Sequence, residues 1–294
     1  MATGHMIPIV DTAKQFARHD TVTVKATIIL SNLNEPLFRD TIERERQLGF
    51  DISIRQVTFP SEQVGLPEDF SGNLSSITSP DMCLKLDDAI YLLKQPIEDM
   101  LKQDMPDCIV SDLFIPWAAD VAAKLRIPNI IFHVVGFFPL SVHHSLIKHK
   151  PYDGIESDSD LFVVPGLPHA VKLTKGQLPD SFISRGHEPE DQMVATKIME
   201  NARQNEIASY GAVFNSFEEM EPGYAEHYKA NIARKAWHFG PVSLCNKDSI
   251  IDKAQRGGMN MNIVIIWTGL APKNQTRWST FLSGHCRRSR LLNY

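Results

Sequence analysis

The stretch from Pro106 to Pro139, PDCIVSDLFIPWAADVAAKLRIPNIIFHVVGFFP, constrains the fold more than any other. Cys108-Ile109-Val110 is a continuous apolar run, as a strand buried on both faces requires, and it stops at Ser111-Asp112. Pro116 suits a first helical turn, where its missing N–H would be unpaired anyway. Trp117, Val121 and Leu125 then recur at helical spacing and give that helix one apolar face. Ile127-Pro128 ends it, and Asn129 to Phe132 reads as a second buried strand. The pattern is strand, helix, parallel strand. Ligands of such units gather at the carboxyl ends of the strands, where Asp112 and the Val134–Phe138 stretch fall. From this stretch alone, Asp112 reads first as a loop carboxylate capping the next helix.

The same alternation extends along the chain. Ile9, Ala13 and Phe16 form a helical stripe after Pro8, with Gly4-His5 just ahead of the expected helix. Strands are expected over Val22–Leu30 and Phe50–Phe59, with a charged, exposed helix over Glu35–Gln47 between them. Pro60–Ser79 reads as a long surface loop, and Asp81–Lys102 as one helix kinked at Pro96. Farther on come an acidic loop from Tyr152 to Asp160 and a Pro-punctuated stretch from Gly166 to Pro179. An amphipathic helix is expected over Glu190–Ser209, then a buried strand over Tyr210–Asn215. Ser216-Phe-Glu-Glu219 has the form of a capping box, and Trp237–Val242 that of a last short strand. This order implies an α/β fold with a parallel, doubly wound, Rossmann-like sheet.

Composition narrows the function. The formal net charge is -5 and no basic run precedes the last few residues, which argues against a nucleic-acid partner. The four cysteines, Cys83, Cys108, Cys245 and Cys286, lie far apart, a usage that fits a reducing compartment and no zinc site. With no signal-peptide pattern and no apolar run of membrane-spanning length, a cytoplasmic protein without a membrane span is expected.

No Gly-rich phosphate loop, metal-ligand spacing or nucleophile elbow is present, so no cofactor or metal is expected. Two residues remain: His5 near a helix N-terminus and Asp112 at a strand end. If the sheet brings them together, an Asp orienting a His suits general-base catalysis on a hydroxyl. Spacing alone does not separate that from an ordinary structural pair.

GHMIPIVDTAKQFA, the PDCIVSDLFIPWAADVAAKLRIPNIIFH core, VVPGLPHAVKLTKGQLPDSF, SYGAVFNSFEEMEPGYAEHY and KAWHFGPVSLCNK together resemble the N-terminal half of plant UDP-dependent glycosyltransferases. The resemblance runs in the family's order over roughly Thr3–Arg256. It implies the GT-B architecture of two facing Rossmann-like domains, the N-terminal one holding the acceptor and the other the UDP-sugar. It further implies that His5, in its GH-x-x-P context, takes the acceptor's proton while Asp112, in V-x-D-x-F, orients it, and that a hexose is transferred with inversion. Leu113, Phe114, Gly136, Phe137 and Phe138 would line the acceptor site, for a phenolic, flavonoid or triterpenoid. The partners implied are that small molecule and, in the full-length family, UDP-sugar as a co-substrate; the chain itself is expected to be a monomer.

Departures from the family pattern shape the remaining expectations. Only Met-Ala-Thr stands where the family's first strand leads into GH-x-x-P, so a strand is expected to be missing mid-sheet, between Val22–Leu30 and Cys108–Val110. Residues 1–256 then form the acceptor domain, and 257–294 an irregular tail with the donor domain absent. Read one base out of frame, the codons of Trp267–Cys286 permit DWLSSKKPNSVVYISFGSL, which resembles the family's entry into that domain. The expectation is a truncated chain without transfer activity, with a non-catalytic acceptor-binding half or an inert fragment as the alternative. Ile263–Ile266 is apolar and β-branched, and reads either as a frayed tail or as a short strand pairing with an exposed edge of the sheet.

Overall fold

The computed structural model describes residues 3–68, 70, 77, 79–178, 182, 190–232, 235–246 and 264–269. Strands β1 (Lys25–Ser31), β2 (Ile52–Val57), β3 (Cys108–Asp112), β4 (Asn129–His133), β7 (Gly211–Phe214), β8 (Ala236–His238) and β9 (Val264–Gly269) form one sheet in the order β2-β1-β9-β3-β4-β7-β8. Strands β5 (Leu161–Val164) and β6 (Val171–Thr174) pair separately as an antiparallel two-stranded sheet. Helices α1 (Thr3–Ala17), α2 (Glu35–Gln47), α3 (Pro80–Leu92), α4 (Lys94–Asp104), α5 (Ala118–Leu125), α6 (Phe137–His149), α7 (Glu190–Ala208) and α8 (Tyr224–Asn231), with short 3-10 helices at Glu62–Val64, Lys175–Gln177 and Val242–Asn246, complete the described elements.

Alternation along each strand puts residues on both sheet faces, and each face is covered. Ala26, Ile28 and Leu30 of β1 pack in one cluster with Ile9 and Phe16 of α1. The intervening Ile29 packs in another with Leu86 of α3 and Trp117. A sheet buried on two sides explains why its strands read as continuous apolar runs. Buried charge is paired where α1 meets α2. Lys14, almost fully buried, lies 3.5 Å from the equally buried Glu45, which also accepts from Arg18.

Several expectations change in detail. The run 81–102 is two helices, because the chain breaks at Leu93, not at Pro96; Pro96 falls in the first turn of α4, where it costs no hydrogen bond. The helix α2 is not simply exposed: Phe38, Ile42 and Glu45 are buried. Part of the long loop packs inward, since Leu66 and Phe70 are buried; residues 69, 71–76 and 78 of it lie outside the described residues. The capping box at Ser216 does not open a helix. Its hydroxyl donates to Glu221 instead, and α8 starts eight residues later behind Gly223, whose φ of 80° lies in the left-handed region.

The largest correction is at the expected gap. No gap remains between β1 and β3, because β9 lies there, antiparallel to both. Its register runs from Lys25↔Gly269 to Leu30↔Val264 on one side and from Cys108↔Thr268 to Ser111↔Ile265 on the other. All other pairs in this sheet are parallel. The stretch 257–294 is therefore not irregular throughout, and of its two readings the structure takes the strand, over Val264–Gly269. The rest of that stretch lies outside the described residues.

Candidate functional site

The structure brings together the two residues singled out for chemistry, though they lie far apart in sequence. His5 is in the first turn of α1, which begins at Thr3 and so includes it. Asp112 is the last residue of β3 and is fully buried. His5 Nδ1 and Asp112 Oδ2 are 2.7 Å apart. The other carboxylate oxygen, Oδ1, accepts from the Phe114 backbone N–H at 2.9 Å. Asp112 does not cap the next helix, whose N-cap is Trp117; one of its oxygens organises the turn after β3 and the other faces the imidazole.

That contact sets the tautomer. A carboxylate oxygen accepts, so Nδ1 carries the proton and Nε2 presents its lone pair. Nε2 has no hydrogen-bond partner among the described residues, and the His5 side chain is 23% exposed, enough to admit a reactant. An imidazole held in this way by a carboxylate is an arrangement able to take up a proton at Nε2.

Phe114 links this pair to a cavity. Its ring lies 5.7 Å from the His5 ring, tilted 51°. It also lines a mainly apolar cavity of about 110 Å³, with Leu86, Asp87 and Ile90 of α3, Pro116 and Asn201 of α7. The Trp117 indole N–H donates to the Ile90 carbonyl at 2.8 Å and ties α3 to the chain leaving β3.

The other anticipated lining residues fall elsewhere. Leu113 packs against the core cluster around Phe214, as a partly buried neighbour. Phe137 belongs to that cluster: it is fully buried and stacks on Phe214 with centroids 3.7 Å apart. Phe138 is 40% exposed and meets Tyr224 edge-on. A Cβ at Gly136 would lie 2.2 Å from Glu221 Oε1, so the Glu221 carboxylate would have to shift to admit a side chain there. That carboxylate also accepts from the Phe138 N–H at the start of α6.

Asp87 and Asn201 were missed in the sequence. One signal was available: Asp87 sits between Cys83 and Ile90 at helical spacings of four and three, so it borders an apolar stripe. Among the described residues no group of His, Cys, Asp and Glu is placed to hold a metal, and no helix is long and apolar enough to cross a membrane.

Comparison with known proteins bears on the chain as a whole. No family model matches. The scopoletin glucosyltransferase of Nicotiana tabacum is 43% identical over 257 residues, 87% of this chain and 52% of that protein. A UDP-glucose flavonoid 3-O-glucosyltransferase of Fragaria ananassa is 41% identical over 259 residues, covering 88% of this chain and 50% of the relative. The chain belongs to the plant UDP-dependent glycosyltransferases. It spans about half the length of the curated relatives it matches. Among solved plant glycosyltransferases, Glycyrrhiza uralensis UGT73P12 complexed with glycyrrhetinic acid 3-O-monoglucuronide superposes with a TM-score of 0.76. That structure is 35% identical, with 87% of this chain and 50% of that one covered. The α/β fold with its largely parallel sheet is thus one Rossmann-like half of a GT-B glycosyltransferase.

Proposed function

We propose that this chain is the acceptor-binding half of a UDP-dependent glycosyltransferase. In this reading a small lipophilic molecule, phenolic, flavonoid or triterpenoid, occupies the cavity beside Phe114 and presents a hydroxyl to His5. Nε2 takes the hydroxyl proton as the oxygen attacks the anomeric carbon of the UDP-hexose, glucose in the first instance. The bond to UDP breaks and the configuration inverts. Asp112 stabilises the imidazolium that forms. Positioned general-base catalysis of this kind contributes typically about 10²–10⁴-fold. The UDP-sugar site belongs, in this reading, to the part of the relatives that this chain does not span. We further place the chain as a cytosolic monomer; Cys108 and Cys245 form no disulfide, which suits a reducing compartment.

The observation that carries the reading is the 2.7 Å contact between His5 Nδ1 and Asp112 Oδ2, one aromatic ring away from an apolar cavity. The experiment has two arms. In the first, the purified chain is titrated calorimetrically with scopoletin, a flavonol and a triterpenoid; binding of at least one is expected, and binding of none overturns the reading. In the second, the chain is joined to the remaining half of a relative and supplied with UDP-glucose, and glucoside is measured by mass spectrometry. His5→Ala is expected to remove turnover and leave acceptor affinity nearly unchanged. Full turnover in that variant overturns the assignment of the base.

A further inference from the structure

The cavity wall carries one group that an apolar ligand alone does not explain. Asp87 projects from α3 between the apolar side chains of Leu86 and Ile90, and its carboxylate has no hydrogen-bond partner among the described residues. Burial is the main influence on it and raises its carboxyl above the usual range, opposed by the charge of Lys197 and reinforced by that of Asp88. An ionisable group left half-buried without a hydrogen bond costs stability, and a donor brought by a ligand relieves that cost. Nearby Asn201 is already engaged, its amide donating to the Tyr91 hydroxyl at 3.4 Å.

We infer that Asp87 is a specificity-determining residue, whose carboxylate accepts a hydrogen bond from a second hydroxyl of the acceptor, remote from the one presented to His5. The cavity then selects apolar molecules that carry hydroxyls at two ends of a hydrophobic frame. Phe114 touches both ends of this arrangement: its ring faces His5 and lines the same cavity as Asp87. A hydroxyl suits the site better than an ammonium group, because the Lys197 charge acting on Asp87 opposes a second cation. The inference rests on the reading of this cavity as the acceptor site, and goes beyond it by naming which acceptors the site prefers and why.

The test uses matched pairs of rigid phenols of two lengths: 4,4′-dihydroxybiphenyl and 4,4′-dihydroxystilbene, each with its monohydroxy counterpart. Affinities are measured calorimetrically for the full chain and for Asp87→Asn and Asp87→Leu. A hydrogen bond to a charged group implies that at least one diol binds about 10-fold or more tightly than its partner. That preference shrinks in Asp87→Asn, which keeps the shape and a neutral acceptor, and disappears in Asp87→Leu. If both members of each pair bind the unaltered chain equally, or if both variants retain the preference, the role of Asp87 is overturned while the cavity stands as the acceptor site. If none of the four phenols binds and the larger acceptors fail too, both readings fall together. Should Asp87→Leu not fold, the near-isosteric Asp87→Asn decides the question alone.

Discussion

Replacing Ile266 by proline tests whether β9 holds the sheet together. Ile266 lies opposite Ile28 of β1 on one side and Val110 of β3 on the other. In a strand with a neighbour on each side, its N–H is committed to the ladder, and proline has none to give. The lost bond is worth about 1 kcal/mol net, and the carbonyl left unpaired inside the sheet costs about 1–3 kcal/mol more. The pyrrolidine ring adds a steric conflict, so the total is about 3 kcal/mol or more. Against the usual stability of about 5–15 kcal/mol, that is a large fraction.

Urea unfolding followed by tryptophan fluorescence, to which buried Trp117 contributes, reads the effect. With a slope of about 3 kcal/mol/M, the midpoint falls by about 1 M. Ile266→Val keeps the backbone N–H and serves as the control for side-chain change. An unaltered midpoint in Ile266→Pro would mean that this segment does not pair with β1 and β3, and the reasoning about the sheet would fail with it.

Two further outcomes follow from the packing around α6 and α7. Gly136→Ala drives a methyl into the Glu221 carboxylate, which is pinned by the Phe138 N–H and the Ser216 hydroxyl; a loss of about 1–3 kcal/mol in thermal unfolding is expected, with acceptor affinity unchanged, and unaltered stability would refute the packing role. Glu206 is mostly buried, which alone would raise its carboxyl, yet hydrogen bonds from His133 (3.0 Å) and the Tyr228 hydroxyl outweigh burial and lower it. Its stabilising contribution is therefore present above its ordinary value of 4.5 and is lost as pH falls through the lowered folded value. Glu206→Gln is expected to be less stable at neutral pH and to lose less on acidification than the parent; parallel pH profiles of the urea midpoint would contradict this.

Much of the fold was legible because local pattern and tertiary placement agree. The run at Cys108, the helix after Pro116 and the strand at Asn129 all appear, and α2 covers the expected Glu35–Gln47. Both partners of the His5–Asp112 contact were visible as residue types at element ends, although only the folded sheet brings them to 2.7 Å. What escaped were choices settled by competition among contacts. The Ser216 hydroxyl had a capping role open to it and a buried carboxylate nearby, and the carboxylate won. Phe137 and Phe138 are adjacent and alike in sequence, yet one is fully buried and the other exposed, because consecutive residues of a helix point about 100° apart. Nor does an apolar run state its direction: Val264–Gly269 is a strand by composition, but its antiparallel register between β1 and β3 depends on residues far away in the chain.

The central strand and the candidate site are mechanically linked. Met6 and Ile9 of α1, one and four residues after His5, pack in the cluster formed by Ala26 and Ile28 of β1 and Cys108 and Val110 of β3, and α1 also lies against β9. The pairing of β9 with β3 ends at Ser111↔Ile265, one residue before Asp112. Asp112 is therefore held by its pairing with Phe132 of β4 and by the turn to Phe114, and its free oxygen is left for His5. Side chains of both β1 and β3 lie beneath α1, so the spacing of these two strands bears on how α1 lies over the sheet. A strand of about 4.8 Å width between them is what a single intervening chain supplies. Its direction matters less than its presence, because the helix rests on side chains of both flanking strands and not on the polarity of the strand beneath it. The His5–Asp112 contact, with its imidazole on a helix and its carboxylate on a strand, thus depends on the sheet being filled at this one position.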